Sequence, residues 1–167
     1  MKLIKTLTCF ILILFSLLQA AAQQKSPQQI ATEKAFISIL NDAARRFPMN
    51  DFGTSDSTAT LIQPFAINNK GEISAAWHVP TDSGFYLIKK KVRICAIKKV
   101  FYDDYIGFQT VGNKITLSTS KTNSKTYSDE RLYFLFHLAR VAGDSEDLHS
   151  KLQKALDKLR PYYPIDK

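Results

Sequence analysis

The chain is 167 residues long, with 23 Lys+Arg against 15 Asp+Glu and a formal net charge of +8. Hydrophobic residues make up 45 % and charged residues 23 %, with Gly 6 and Pro 6, which excludes a disordered, collagenous or low-complexity polymer. The length suits one domain with a real core, and Cys 2 is too few for a disulfide-stapled miniprotein.

Residues 1–22 read as a secretory leader. Lys2 and Lys5 make a positive start, Cys9 to Leu18 an apolar run, and Ala20-Ala21-Ala22 a small-residue cleavage site. An uncleaved anchor is the rival reading. It is disfavoured because the run falls short of the roughly 20 residues a span needs and ends in small residues before Gln23-Gln24. A lipoprotein leader needs cysteine at the cleavage point, whereas Cys9 lies inside the apolar run. Cleavage removes Lys2, Lys5 and Cys9, so the remainder, 23–167, is read as one globular domain whose cysteine, Cys95, has no intramolecular disulfide partner. Cys95 lies between Ile94 and Ala96-Ile97 in a strand-like run, where burial as a small hydrophobe is expected. No second apolar run is long enough to span a bilayer.

The first element is a helix. Ser26 caps it, Pro27 occupies a tolerated first-turn position, and Ile30, Ile37, Leu40, Ala44 and Phe47 recur at helical spacing. Phe36, Ile39 and Ala43 widen that stripe, Arg45 and Arg46 suit the last turn, and Pro48 ends it. Residues 49–58 are polar and turn-rich. The period then becomes strand-like: Thr60–Ile67 and Glu72–Val79 are joined by the loop Asn68-Asn69-Lys70-Gly71. Pro80 to Gly84 makes a turn, a long extended run follows from Phe85 to about Phe101, and Asp103-Asp104 marks a reversal.

Tyr105–Val111 and Lys114–Ser120 flank Gly112-Asn113, which predicts a tight hairpin with Phe108 facing Leu117 and Ile106 facing Thr119. Lys121–Asp129 reads as a polar, mobile loop. Leu132–Ala139 is apolar throughout, a buried strand or a helix, with its aromatics favouring strand. After Gly143-Asp144, Ser145 caps a closing helix. Glu146 and Asp147 lie in its first turn, and Leu148, Leu152, Ala155, Leu156 and Leu159 form its buried stripe, with Pro161 at its end.

An α+β fold follows: an N-terminal helix, an antiparallel meander of five to seven strands forming a curled sheet or small barrel, and a C-terminal amphipathic helix packed on it. Strands followed by a final amphipathic helix are similar in order to a pleckstrin-homology-like barrel, an architectural likeness without a motif that implies no function.

Signatures of catalysis are absent from the sequence. His78, His137 and His149 lack zinc-motif spacing, and there is no HExxH, CxxC, GxSxG, phosphate-binding glycine loop or dinucleotide fingerprint. Neither metal nor cofactor is expected. His137 reads as a hydrogen-bonded core or interface residue and His149 as helix surface. The acidic pair Asp103-Asp104 reads as a turn, since neighbouring turn carboxylates point apart.

The remaining feature is charge. Lys89, Lys90, Lys91, Arg93, Lys98 and Lys99 form a cationic run without an acid, able to meet an anionic surface such as lipid headgroups or a polyanion. Lysines on an exposed strand also discourage edge-to-edge aggregation, and strand alternation divides Lys89, Lys91, Arg93 and Lys99 from Lys90 and Lys98. The leading expectation is an exported, non-catalytic binding domain for an envelope or extracellular protein or a small ligand. An anionic-surface binder is the alternative and an enzyme of unrecognised type the remote one. Nucleic acid is not indicated, for no basic–aromatic motif is present.

Overall fold

The computed structural model describes residues 25–48, 59–103, 105–140 and 146–165. The leader with Cys9, the polar segment 49–58, Asp104 and the Gly143–Ser145 break and cap lie outside these residues. The chain divides into two compact units, 1–30 and 31–167. The described part of the first is the start of helix α1 (Pro27–Arg46), where the Gln29 N–H donates to Ser26 Oγ at 3.1 Å, the expected N-cap.

In the second unit α1 buries Phe36, Leu40 and Ala43. Ile37, Ile39, Ala44 and Phe47 flank that line half-buried, so the apolar stripe is centred one position off the one expected from Ile30, which is exposed. Eight strands follow, all paired antiparallel. They are β1 (Thr60–Ile67), β2 (Glu72–Thr81), β3 (Gly84–Arg93), β4 (Ile97–Tyr102), β5 (Tyr105–Thr110), β6 (Ile115–Ser120), β7 (Tyr127–Tyr133) and β8 (Leu135–Arg140). They form two sheets, ordered β1-β2-β3-β6-β7 and β4-β5-β8, with helix α2 (Glu146–Leu159) packed on them. The fold is α+β with a curled sheet that does not close into a barrel.

The hairpin expected across Gly112-Asn113 does not form. β5 pairs with β4 and β8, while β6 pairs with β3 and β7. Phe108 faces Val100 and Leu117 faces Lys90, so the ladder runs Ile88↔Thr119, Val92↔Ile115, then Ile97↔Thr110, Val100↔Phe108 and Tyr102↔Ile106. This is one long hairpin reversing between Tyr102 and Tyr105, bent at its middle. On one arm the bend is a 3-10 turn, Ile94–Ala96, that interrupts the extended run and holds the buried Cys95 outside any strand. On the other, Gly112 takes φ +70°, a left-handed value natural to glycine, Thr110 Oγ1 donates to the Gly112 carbonyl at 2.7 Å, and the Val111 N–H donates to the Ala96 carbonyl at 3.1 Å. Local turn chemistry loses to packing. At the corner Phe108 turns into the core, stacked on Phe36 at 5.9 Å and edge-on to Phe136 at 5.9 Å.

Two more expectations change. The 121–129 loop is shorter, since β7 begins at Tyr127, and it is tied down: Asn123 Oδ1 accepts the Phe85 N–H at 3.1 Å and its Nδ2 donates to the Ser83 carbonyl at 3.2 Å. Residues 132–139 are extended, as favoured, but belong to two strands in different sheets, with Leu132, Tyr133 and Phe134 exposed rather than buried.

Both helices serve the sheets twice. Beneath their apolar faces lies the core of Trp77, Phe65, Phe136, Ile73, Ile106 and Leu138, into which α2 inserts Leu152, Leu156 and Leu159. At their margins polar side chains close sheet edges. Asn41 of α1 accepts the Phe65 N–H at 2.8 Å and donates to its carbonyl at 3.1 Å, beside Pro64 in the bulged edge strand β1. From α2, Gln153 Oε1 accepts the Val100 N–H at 2.9 Å, His149 Nε2 lies 3.3 Å from the Val100 carbonyl, and beyond the helix Arg160 Nη2 donates to the Lys98 carbonyl at 2.7 Å. His149 is thus half-buried against an edge strand, not plain helix surface.

Gly107 lies where β5 meets β8, and a Cβ there would stand 2.3 Å from the Phe136 carbonyl oxygen and 2.7 Å from the Phe101 ring. Gly107→Ala should therefore destabilise the fold by about 1–3 kcal/mol, read as a lowered urea midpoint at unchanged slope, while Gly112→Ala, with open space around it, should cost only the left-handed backbone strain, about 1–2 kcal/mol.

Candidate functional site

Strand alternation and register put Tyr86, Ile88, Lys90 and Val92 of β3, Ile115, Leu117 and Thr119 of β6, and Asp129, Arg131 and Tyr133 of β7 on one face of the large sheet. Near β2 this face is dry, with Ile88, Val92 and Ile115 in the core. Toward β7 it emerges from the core into an open groove of about 490 Å³, floored by Tyr86, Leu117, Thr119, Asp129, Arg131 and Tyr133. The β6–β7 turn adds Ser120, Lys121 and Thr122 to its wall. Asn123 and Ser120 hold that wall, the latter by accepting the Leu87 N–H at 2.8 Å and donating to the Lys121 carbonyl at 3.0 Å.

Arg131 dominates the electrostatics of the groove. Its Nε donates to Asp129 Oδ2 at 3.0 Å, and the Asp129 carboxylate, helped by a hydrogen bond with Tyr133, raises the guanidinium above its ordinary value. Burial pushes the Tyr86 hydroxyl upward. Rings and an aliphatic floor beside a guanidinium and a lysine suit a ligand with a flat or apolar body and an anionic group. The sequence signal for this site is the alternation Asp129, Arg131, Tyr133, masked by the polar composition of 121–129, which reads as loop.

The cationic run is divided. Lys89, Lys91 and Arg93 share the outer face of β3, with Ala76, Ser74 and Glu72 opposite them on β2 and Ser118 and Thr116 on β6. Lys90 points inward and is 8 % exposed. Its Nζ lies 5.6 Å from the centroid of Trp77 and 5.4 Å from that of Phe136, and donates to the His137 carbonyl at 3.2 Å. Lys98 and Lys99 are exposed on β4, in the other sheet.

The remaining chemistry-bearing residues are scattered. His78 stacks on Phe85 at 4.8 Å, His137 contacts the rings of Tyr105 at 4.9 Å and Phe101 at 5.6 Å, and His149 lies on β4. Asp103 serves its turn, accepting the Tyr105 N–H at 2.9 Å. Among the described residues no three His, Cys, Asp or Glu side chains converge as metal ligands, and no helix is long and apolar enough to cross a membrane. The chain matches no protein-family model, no curated protein and no solved structure.

The contrast within the run is measurable. Lys90→Ala removes a buried stem, two ring contacts and a charge-assisted hydrogen bond, and should cost about 2–3 kcal/mol of stability in urea unfolding. Lys89→Ala, on the outer face, should stay within about 0.5 kcal/mol.

Proposed function

We propose that this is an exported, non-catalytic binding domain whose ligand site is the groove on β3, β6 and β7. The observation that carries the reading is the change along a single sheet face from dry core to an open floor of Tyr86, Leu117, Arg131 and Tyr133. Such a surface offers ring stacking and one anion contact, held by a rigid sheet on one side and an anchored turn on the other. Supporting the non-catalytic part, the described histidines and Cys95 lie away from the groove lining. The ligand is a small acid with a flat or apolar face.

A titration followed by amide chemical shifts tests this, with aromatic carboxylates and uronic-acid sugars as probes and neutral sugars as controls. Acidic probes should move the amides of Tyr86, Leu117, Thr119, Arg131 and Tyr133, and Arg131→Gln should weaken binding about tenfold, as loss of one charge-assisted contact implies. Shifts confined to other surfaces, or none with any acidic probe, would overturn the groove as the site.

A second reading rests on the three cations that share the outer face of β3. We infer that Lys89 and Lys91, beside Arg93 opposite Glu72 and flanked by Ser74, Thr116 and Ser118, meet an anionic surface. Cosedimentation with vesicles rich in anionic lipid should then fall steeply between low and high salt, and Lys89→Ala/Lys91→Ala should abolish it. Binding indifferent to salt, or none, would exclude this reading.

A further inference from the structure

The two sheets have four edge strands, β1, β7, β4 and β8. Three are closed by side chains from elsewhere in the fold. Asn41 takes both backbone groups of Phe65 on β1, and Gln153, His149 and Arg160 take those of Val100 and Lys98 on β4. On β8, the Phe136 carbonyl lies against Gly107 of β5, so the next carbonyl, His137, points the other way and receives Lys90 Nζ. β7 is different. Among the described residues no side chain or backbone group beyond β6 bonds to its main chain, and six of its seven residues are exposed. It ends in Leu132, 59 % exposed, and Tyr133, and is followed by Phe134, 50 % exposed, whose carbonyl accepts the Thr110 N–H at 2.9 Å. An edge of this kind is a template for an added strand.

The sequence of β7 specifies which strand fits. Written against itself antiparallel about Glu130, it puts Asp129 opposite Arg131 of the second copy and Arg131 opposite its Asp129, two opposite-charge cross-strand pairs on one face. The register shift at Ser128 takes Tyr127 off the face of Asp129 and Arg131, so the two charge pairs alone carry the match. On the opposite face Glu130 meets itself at the two-fold axis, an unfavourable pair. The Asp129–Arg131 pair already formed within one strand shows that both charges project on the same side. We propose that the protein self-associates through β7 as a two-fold dimer, joining two five-stranded sheets into one continuous sheet with a groove in each half. A second copy supplies both members of the Asp129–Arg131 exchange, so it is the occupant that charge complementarity favours.

Sedimentation of the protein near physiological salt, without added ligand, tests the pairing independently of groove binding. A reversible dimer should appear between micromolar and about 1 mM concentration, and the β7 amides should exchange more slowly with deuterium as concentration rises. Asp129→Arg replaces two attractions by two repulsions and should weaken the dimer about tenfold or more. The double swap Asp129→Arg/Arg131→Asp should restore it to within about threefold, and Glu130→Gln should tighten it. All these side chains are exposed, so far-ultraviolet circular dichroism should remain that of the wild type. A protein monomeric at the highest concentration, or a dimer indifferent to Asp129→Arg, or one not restored by the double swap, would overturn the proposal.

Discussion

The corner at residues 94–96 and 111–114 is the constraint on which the rest of the structure depends. Without it, the pairing that starts at Tyr102↔Ile106 would continue to Ile88↔Thr119 as one flat ribbon, with Phe108 and Val100 in the same sheet as Val92 and Ile115. A ribbon of that length leaves one face wet and cannot enclose a core. Bending it assigns its two halves to different sheets, and the face shared by Val92, Ile115, Val100 and Phe108 becomes the interior. Gly112 at positive φ on one arm and the 3-10 turn on the other accommodate the bend without breaking the pairing for more than a few residues.

Two sheets created in this way have four edges, and their unsatisfied backbone groups need hydrogen-bond partners where they meet the packed interior. Side chains supply them. Asn41 behaves like a short piece of strand beside Phe65, and Gln153 and His149 do the same for Val100. Lys90 is the least expected member of this set, a lysine from the middle of a basic run whose stem is buried and whose charge crosses from one sheet to the other between Trp77 and Phe136. A second long-range tie is Tyr163, whose hydroxyl donates to the carboxylate of the buried Glu33 at 2.6 Å while its ring fills the space beside Gly71.

The binding reading grows from the same geometry. α1, α2 and the smaller sheet cover the β1–β3 side of the large sheet, while β6 and β7 extend beyond that cover. The interior face of those strands therefore carries Thr119, Asp129, Arg131 and Tyr133 where the covered strands carry Ile73, Trp77 and Val92. A groove in such a place has a rigid floor and an open side, which is what a ligand site requires. The described histidines are spread over β2, β8 and α2, in ring contacts and edge closure.

Local chemistry was enough to determine part of this protein. Ser26 and the apolar period gave the first helix its start, Thr60–Ile67 and the Asn68–Gly71 loop the first hairpin, and Leu152, Leu156 and Leu159 the buried stripe of α2, because capping, turn and periodicity act within a few residues. The antiparallel α+β class followed from their order. The role of Gly112-Asn113 did not, because a glycine at positive φ serves a hairpin and a corner equally well, and the choice fell to Phe36 and Phe136, far away in sequence, packing on Phe108. The Leu132–Phe134 segment read as buried because its composition is apolar, whereas at the edge of the larger sheet all three side chains are exposed. Strand alternation foretold that Lys90 would part from Lys89 and Lys91. Only the tertiary structure decided which of them faces inward, since that depends on the Trp77 ring of β2 meeting the Phe136 ring and His137 carbonyl of β8.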